Sequence, residues 1–356
     1  VIGAGVVGVS TSWLLVKQGH DVVLVDAALA AGQPPANAGS SAALGLLMAN
    51  VFRRSSGRGW RLRQQALMLW QQWRYELEAQ GHTIPFRPGL LQLASDAEAL
   101  EAQRRLVEQR RKQGMPLRMI EPQHLAELQP AVPKGALGGV FSPNDGQLDP
   151  LPAMAALLQD ARRLGLRTVT GAAIHLEREP ATPEQRWRVH TTAGSLGSHW
   201  LVVAAGLQSP ALLTPLGHQR PQSPVLGQAL ELQLQARCCH TTWPGSLSWE
   251  GINLVPRSNG RLWLGATVEP GDTKGGPQLL EEMRQLHGRA PNWLLDAEVV
   301  GHWQGLRARP DDRPAPLLEE LEPGLLLSSG HYRNGVLLAP ACAAWVAEQV
   351  QLGHRV

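Results

Sequence analysis

Glycines 3, 5 and 8, in Gly3-Ala4-Gly5-Val6-Val7-Gly8, stand next to the short apolar pair Val1-Ile2, and an aspartate, Asp26, lies further on. The chemistry this spacing serves is the holding of a pyrophosphate. Gly3 and Gly5 permit a tight turn and let the backbone approach the phosphates, while Gly8 lets a helix pack against a strand. A helix opening at Val6-Val7 then offers its free N–H groups and the positive end of its dipole to the anion. An acidic residue about twenty positions after the turn can accept the ribose hydroxyls of an adenosine. Asp26 would repel a 2′-phosphate and no arginine follows it directly, so NADP is disfavoured and FAD or NAD remains.

A glycine triplet alone is a weak signal, and its flanks make it a strong one. Val1-Ile2 reads as the end of a buried strand, 6–17 as a helix without internal proline, Gly19-His20 as its stop, and 21–25 as a second buried strand closed by Asp26. Beyond a loop at 30–45 rich in Ala, Pro, Gly and Ser, the pattern gives amphipathic helices at 58–80 and 96–114 and a strand at 87–93. A Pro/Gly-rich stretch occupies 121–150 and a helix 151–164. Strands are expected at 167–176, 187–190 and 200–204, then alternating strands at 229–235, 252–256 and 261–268 with a turn at Ser258-Asn259-Gly260. A helix near 277–288, a turn-rich segment, a strand at 325–328 and a helix at 336–351 complete the chain. This order predicts an α/β protein: a Rossmann-type dinucleotide domain (1–85, 144–216 and 300–356) interrupted by an α+β substrate domain on a mainly antiparallel sheet (86–143 and 217–299).

Composition narrows the partners. Among 356 residues, 33 Lys+Arg against 30 Asp+Glu leave a formal charge of +3, and no basic block is long, so nucleic acid has little electrostatic support. No apolar run approaches the length of a membrane span and no targeting signal opens the chain, so a cytoplasmic location is expected. The cysteines Cys238, Cys239 and Cys342 lack metal-ligand spacing and read as reduced buried thiols; the scattered histidines form no chelating motif, and no metal is expected. Self-association into a homo-oligomer stays open.

Further segments carry a resemblance: Ser41-Ala42-Ala43-Leu44-Gly45-Leu46-Leu47, Asp145-Gly146-Gln147-Leu148-Asp149-Pro150, Val202-Val203-Ala204-Ala205-Gly206 and Pro224-Val225-Leu226-Gly227-Gln228, then Gly305-Leu306-Arg307 and the run from Gly330 through His331-Tyr332-Arg333-Asn334-Gly335 to Pro340. In this order they resemble the D-amino-acid-oxidase-like FAD oxidoreductases, and within them the glycine oxidases, over nearly the whole chain. The resemblance implies non-covalent FAD held by Gly3, Gly5, Val6, Val7, Gly8, Asp26, Ser40, Ser41, Gly45, Leu46, Leu47, Ile174, Ala205, Gly206, Arg333, Asn334, Gly335, Val336 and Leu337. It implies a substrate carboxylate on Arg307, with Arg333 in the same pocket, which suits the planar fork of a guanidinium.

The activity so implied is oxidation of a small, glycine-like amino acid or amine. Hydride passes from Cα to flavin N5, the imino acid is hydrolysed to a 2-oxo acid and ammonia, and oxygen reoxidises the flavin to give hydrogen peroxide. A place in thiamine biosynthesis goes with it. The alternatives are a D-amino-acid dehydrogenase using an acceptor other than oxygen, or a flavin-dependent tRNA-modifying oxidoreductase. One departure bears on the substrate: where glycine oxidases carry a Tyr just before Leu-Val-Pro, this chain has Asn253, which can still donate to a carboxylate but with shorter reach.

Overall fold

The computed structural model describes residues 1–31, 35–182, 185–236 and 241–353; Cys238 and Cys239 lie outside them. The first elements follow the sequence closely. Helix Val6–Lys17 begins directly after Gly5. Ile2 bridges in parallel to both Val25 and Val203, placing the opening residues at the centre of a sheet. On one side Val23–Val25 pairs in parallel with Arg167–Val169; on the other Leu201–Val203 pairs in parallel with Leu325–Ser329, and Leu317–Glu322 closes that edge antiparallel. The central strands Val23–Val25, Leu201–Val203 and Leu325–Ser329 are mostly apolar and buried because helices cover the sheet, while the outer strands Arg167–Val169 and Leu317–Glu322 carry charged residues. Val6–Lys17 packs against Pro150–Arg163 and the terminal helix Gly335–Gly353. Gly57–Ala79 adds Trp70 and Trp73, and Trp13 meets Trp73 edge-on at 4.6 Å between ring centroids.

The second sheet runs Gln222–Gln233, Arg261–Gly265, Ile252–Pro256, Ser246–Trp249, Phe86–Leu93, Gly139–Leu148, Leu46–Leu47. All neighbours are antiparallel except Ser246–Trp249 beside Phe86–Leu93. The long strand Glu298–Pro310 also joins it, antiparallel to Gln222–Gln233. One face buries Leu91, Leu247, Leu254, Leu264 and Leu230 in a core of its own. The α/β class with a mainly antiparallel second sheet is thus borne out.

Several local expectations are corrected. The stretch 167–176 is not one strand: Arg167–Val169 belongs to the parallel sheet, and Ala173–Thr182 starts a separate three-stranded antiparallel sheet with Gln185–Thr191 and Gly194–Ser198. Within 121–150, Gly139–Leu148 forms a long strand although Pro143 and Gly146 interrupt its apolar pattern. Its partner Phe86–Leu93 shifts register between Pro88 and Leu90, a bulge that accommodates such residues. The turn-rich segment before 325 contains Glu298–Pro310, whose half-buried residues follow no clean alternation. The divisions drawn at 143/144 and 299/300 both fall inside these continuous strands.

The helix Gly335–Gly353 has the length and hydropathy of a membrane span, but 61% of its apolar window is buried inside the protein. Its apolar character belongs to the core between Val6–Lys17 and Gly57–Ala79.

Candidate functional site

A cavity of about 1700 Å³ lies between the two sheets. Small-ligand sites run to roughly 300–1,000 Å³, so this one suits a dinucleotide-sized molecule with a substrate beside it. One end is the glycine turn. Gly3 has φ +102°, and a Cβ there would lie 2.5 Å from the Ala204 carbonyl oxygen; one on Gly8 would lie 1.8 Å from the Gly3 carbonyl oxygen. Strand, turn and helix therefore meet backbone to backbone. Gly3, Gly5, Val6 and Val7 line the cavity, whereas Gly8 sits beneath, where its role is the close packing.

The first turn of Val6–Lys17 carries no acidic side chain, so the dipole's positive end remains available to an anion. Ser40 reaches this point and its Oγ accepts from the Val6 N–H at 3.0 Å. Asp26 lines the cavity as its carboxylate accepts from the N–H groups of Ala4 (2.6 Å) and Ala28 (2.7 Å). It thereby ties the glycine turn to the end of the second strand.

Of the other expected cofactor residues, Gly45, Leu46, Ile174, Ala205, Gly206, Arg333, Asn334, Gly335, Val336 and Leu337 all line the same cavity. Asn334 is fixed by Arg63, whose Nη2 donates to its Oδ1 at 3.0 Å. Two of these other expected residues do not line the cavity. Ser41 turns away, donating to the carbonyls of Pro35 and Ala38, and holds the loop together. Leu47 is fully buried in the core, because successive strand residues face opposite ways and Leu46 takes the cavity side.

The far end of the cavity is built on the antiparallel sheet. Arg307 pairs with Val225 on the adjoining strand, and its Nη1 donates to the carbonyls of Leu226 (3.0 Å) and Thr267 (3.1 Å). A Cβ on Gly227 would lie 2.0 Å from the guanidinium, so this glycine makes the space in which the arginine lies. Burial, and next the neighbouring Arg333, hold the Arg307 pKa below its usual value. An anion placed between two guanidiniums would relieve that repulsion. Behind Arg307, Thr267 and Glu269 are hydrogen-bonded, and Gln228 Nε2 donates to Glu269 Oε1 at 2.9 Å. This buried network fixes the Thr267 segment that receives the arginine.

Asn253 lines the cavity at 7% exposure, and its Oδ1 is buried without a hydrogen-bond partner among the described residues. Met48, Gln92, Ser248 and Ala266 also line the wall and were missed from sequence. For Gln92 and Ser248 a signal existed: each is a polar position between core residues, Leu91/Leu93 and Leu247/Trp249. Their common destination appears only once the strands are paired.

Cys342, buried as expected, lies 3.2 Å through Sγ from His331 Nε2. Burial pushes the thiol up to about 12 and the imidazole down to about 4, so both are neutral near pH 7. Among the described residues no His/Cys/Asp/Glu cluster could hold a metal.

The family described as FAD dependent oxidoreductase matches residues 1–349. Glycine oxidase of Geobacillus kaustophilus is 28% identical over 358 residues, covering 99% of this chain and 92% of that protein. The bifunctional protein ThiO/ThiG of a Synechocystis strain is 33% identical over 231 residues, 62% of this chain and 33% of its own length. The crystal structure of the Geobacillus glycine oxidase superposes with a TM-score of 0.86 at 26% identity, covering 99% of this chain and 93% of that one. Steric necessity for glycine at the turn, an unopposed helix N-terminus and a cavity of dinucleotide size all fit the cofactor of that family. The chain belongs to the FAD-dependent oxidoreductases and is an FAD enzyme.

Proposed function

We propose that this enzyme oxidises small α-amino acids, glycine-like in their reacting part, with oxygen as electron acceptor. The observation that carries this reading is the setting of Arg307. Among the described residues only its Nη1 is hydrogen-bonded to protein, and the side chain lines the cavity that the glycine turn opens. A carboxylate there gains charge-assisted hydrogen bonds and is drawn by Arg333 as well. Asn253, which lines the same cavity, supplies an amide to the carboxylate or the amine.

Non-covalent FAD would be held through its phosphates by the Gly3–Gly8 turn, its ribose by Asp26, and its ring end by the helix N-terminus at Gly335-Val336-Leu337. The flavin supplies the two-electron acceptor for hydride loss from Cα. The protein's share is placement and the exclusion of water, with a neutral amine keeping its lone pair to assist that loss. No side-chain base is required, and His331, neutral and hydrogen-bonded to Cys342, is poorly placed to act as one.

The test is Arg307→Ala. Losing an anchored carboxylate in a largely dry site costs about 2–5 kcal/mol. The expected fall in kcat/KM is therefore roughly 30- to 5,000-fold, at about 1.4 kcal/mol per tenfold, with FAD content unchanged. Arg307→Lys should recover part of it, since an ammonium cannot form the planar fork. An amine without a carboxylate should not distinguish mutant from wild type. Undiminished oxidation of the best amino acid by Arg307→Ala would remove the amino-acid reading.

A further inference from the structure

The cavity wall continues past the carboxylate anchor. In the antiparallel sheet Ser248 stands in register with Asn253 on one side and with Gln92 on the other. Register partners share a face, and all three line the cavity. Leucines of the same strands, Leu91, Leu247 and Leu254, fill the core behind. At strand spacings of about 4.8 Å, Asn253 to Gln92 spans roughly 10 Å. That is a polar strip much longer than glycine needs, and its Asn253 Oδ1 is buried and unpartnered among the described residues.

The strip ends under a deliberately fixed loop. Gln92 pairs with Val140, and Val51 packs in one cluster with Val140 and Leu90, setting residues 48–54 over that end. The buried Asp145 accepts from the N–H groups of Ala49, Asn50 and Val51, at 2.9–3.1 Å. The buried Arg110 donates to the carbonyls of Asn50 (3.0 Å), Phe52 (2.6 Å) and Arg54 (3.1 Å). A carboxylate and a guanidinium are thus committed to holding one short loop. What the loop presents is Arg53 and Arg54, both exposed, both lining the cavity, and neither ion-paired among the described residues.

We propose that the cavity extends from the carboxylate anchor along Asn253, Ser248 and Gln92 to Arg53 and Arg54, and takes amino acids whose side chain or amine substituent ends in a second carboxylate. This rests on the amino-acid reading of Arg307. The strip offers hydrogen bonds to the distal carboxylate and to polar groups of the substrate's linker, and the two arginines receive the distal anion. Because they stand at the rim, their contribution falls with salt.

The experiment titrates FAD-bound enzyme with saturated monocarboxylates and with α,ω-dicarboxylates of equal chain length, from four to seven carbons, reading the flavin absorption band. The expected result is tighter binding of the longer dicarboxylates, about tenfold over the matched monocarboxylates at low salt, with the ratio falling to near one in the Arg53→Ser/Arg54→Ser double variant. Gln92→Leu should reduce the same ratio. Equal affinity for the two series in wild type, or a ratio that survives the double variant, overturns the extended channel and leaves the anchor standing. If neither series perturbs the flavin, the Arg307 anchor itself fails and this inference falls with it.

Discussion

The two ends of the cavity are made in different ways. At the cofactor end the closest contacts are backbone on backbone, Gly3 against Ala204 and Gly8 against Gly3, with the Ser40 hydroxyl accepting from the Val6 N–H beside them. At the proposed substrate end they are side chains brought together by strand pairing: Arg307 from Glu298–Pro310, Asn253 from Ile252–Pro256, Ser248 from Ser246–Trp249, Gln92 from Phe86–Leu93. A backbone site tolerates no Cβ but is indifferent to most neighbouring side chains. A side-chain site can be retuned one residue at a time while the sheet stays the same. The cofactor end therefore fixes the enzyme class, and the substrate end is where relatives can diverge.

The sharpest test of the backbone site is Gly8→Val. Its Cβ would coincide with the Gly3 carbonyl oxygen at 1.8 Å, so the helix must leave the strand. Overpacking of this kind costs about 1–3 kcal/mol, occasionally more. The expected outcome is loss of FAD from purified protein together with a lowered Tm, read by flavin absorbance and thermal melting. A yellow, normally stable Gly8→Val protein would contradict the close packing.

The corresponding break at the other end is Gly227→Ala, where the new methyl would meet the Arg307 guanidinium at 2.0 Å. Arg307 must move while the glycine turn is untouched. The expected result is a KM for the amino acid raised by roughly ten- to a hundredfold, the scale of about 1.4–2.7 kcal/mol, with FAD content normal. Loss of FAD in this variant would mean the two ends are not separable.

The same contrast decides what could be read without a structure. The Gly3–Gly8 turn was legible because its requirement is local: glycine is needed where the backbone itself must approach, and helix Val6–Lys17 follows at once. Arg307 was found only through a resemblance, since Gly305-Leu306-Arg307 reads as a turn, whereas it lies within a strand of half-buried residues. The role of Gly227 beside Arg307, and the row Gln92–Ser248–Asn253, depend on registers between segments far apart in the chain. That Ser41 and Leu47 do not line the cavity was not legible for a related reason. A loop motif names a stretch that touches the cofactor, but the pleat and the loop's internal hydrogen bonds decide which of its residues do.

A smaller effect is expected at Asp26. Its carboxylate accepts from the Ala4 and Ala28 N–H groups, so Asp26→Ala loosens the turn as well as removing the proposed ribose contact. Hydrogen bonds to a charged group are worth about 1.5–3 kcal/mol, so FAD affinity should fall roughly ten- to a hundredfold. Turnover at saturating FAD should change little. If saturated turnover collapses while FAD affinity holds, the residue serves the reaction and not the cofactor.

The last prediction concerns the joint between the two ends, where His331 lines the cavity and is hydrogen-bonded to Cys342 inside the terminal helix. Burial lowers the imidazole from 6.5 to about 4 in the folded protein. Between those values the unfolded chain binds a proton that the folded chain refuses, so stability rises with pH across this window and is lost as pH falls through it. At about 1.4 kcal/mol per unit, the full shift is on the order of 3 kcal/mol. The buried carboxyl of Asp145 opposes it: raised from 3.8 to about 6, it favours the folded state at the acid end. The wild-type Tm is therefore a poor guide, and the difference between wild type and His331→Gln is the quantity to follow. Gln can still hydrogen-bond to the thiol but cannot be protonated. Going from pH 6.5 to 4, wild type should lose stability relative to His331→Gln, with the gap levelling off above pH 6.5. Because Arg333 and Asn334 lie two and three residues after His331, the flavin spectrum of wild type should shift over the same acid range, and that of the variant should not. Parallel Tm profiles for the two proteins would show that His331 is protonated without penalty, and that the loop carrying Arg333 is not held by a neutral imidazole.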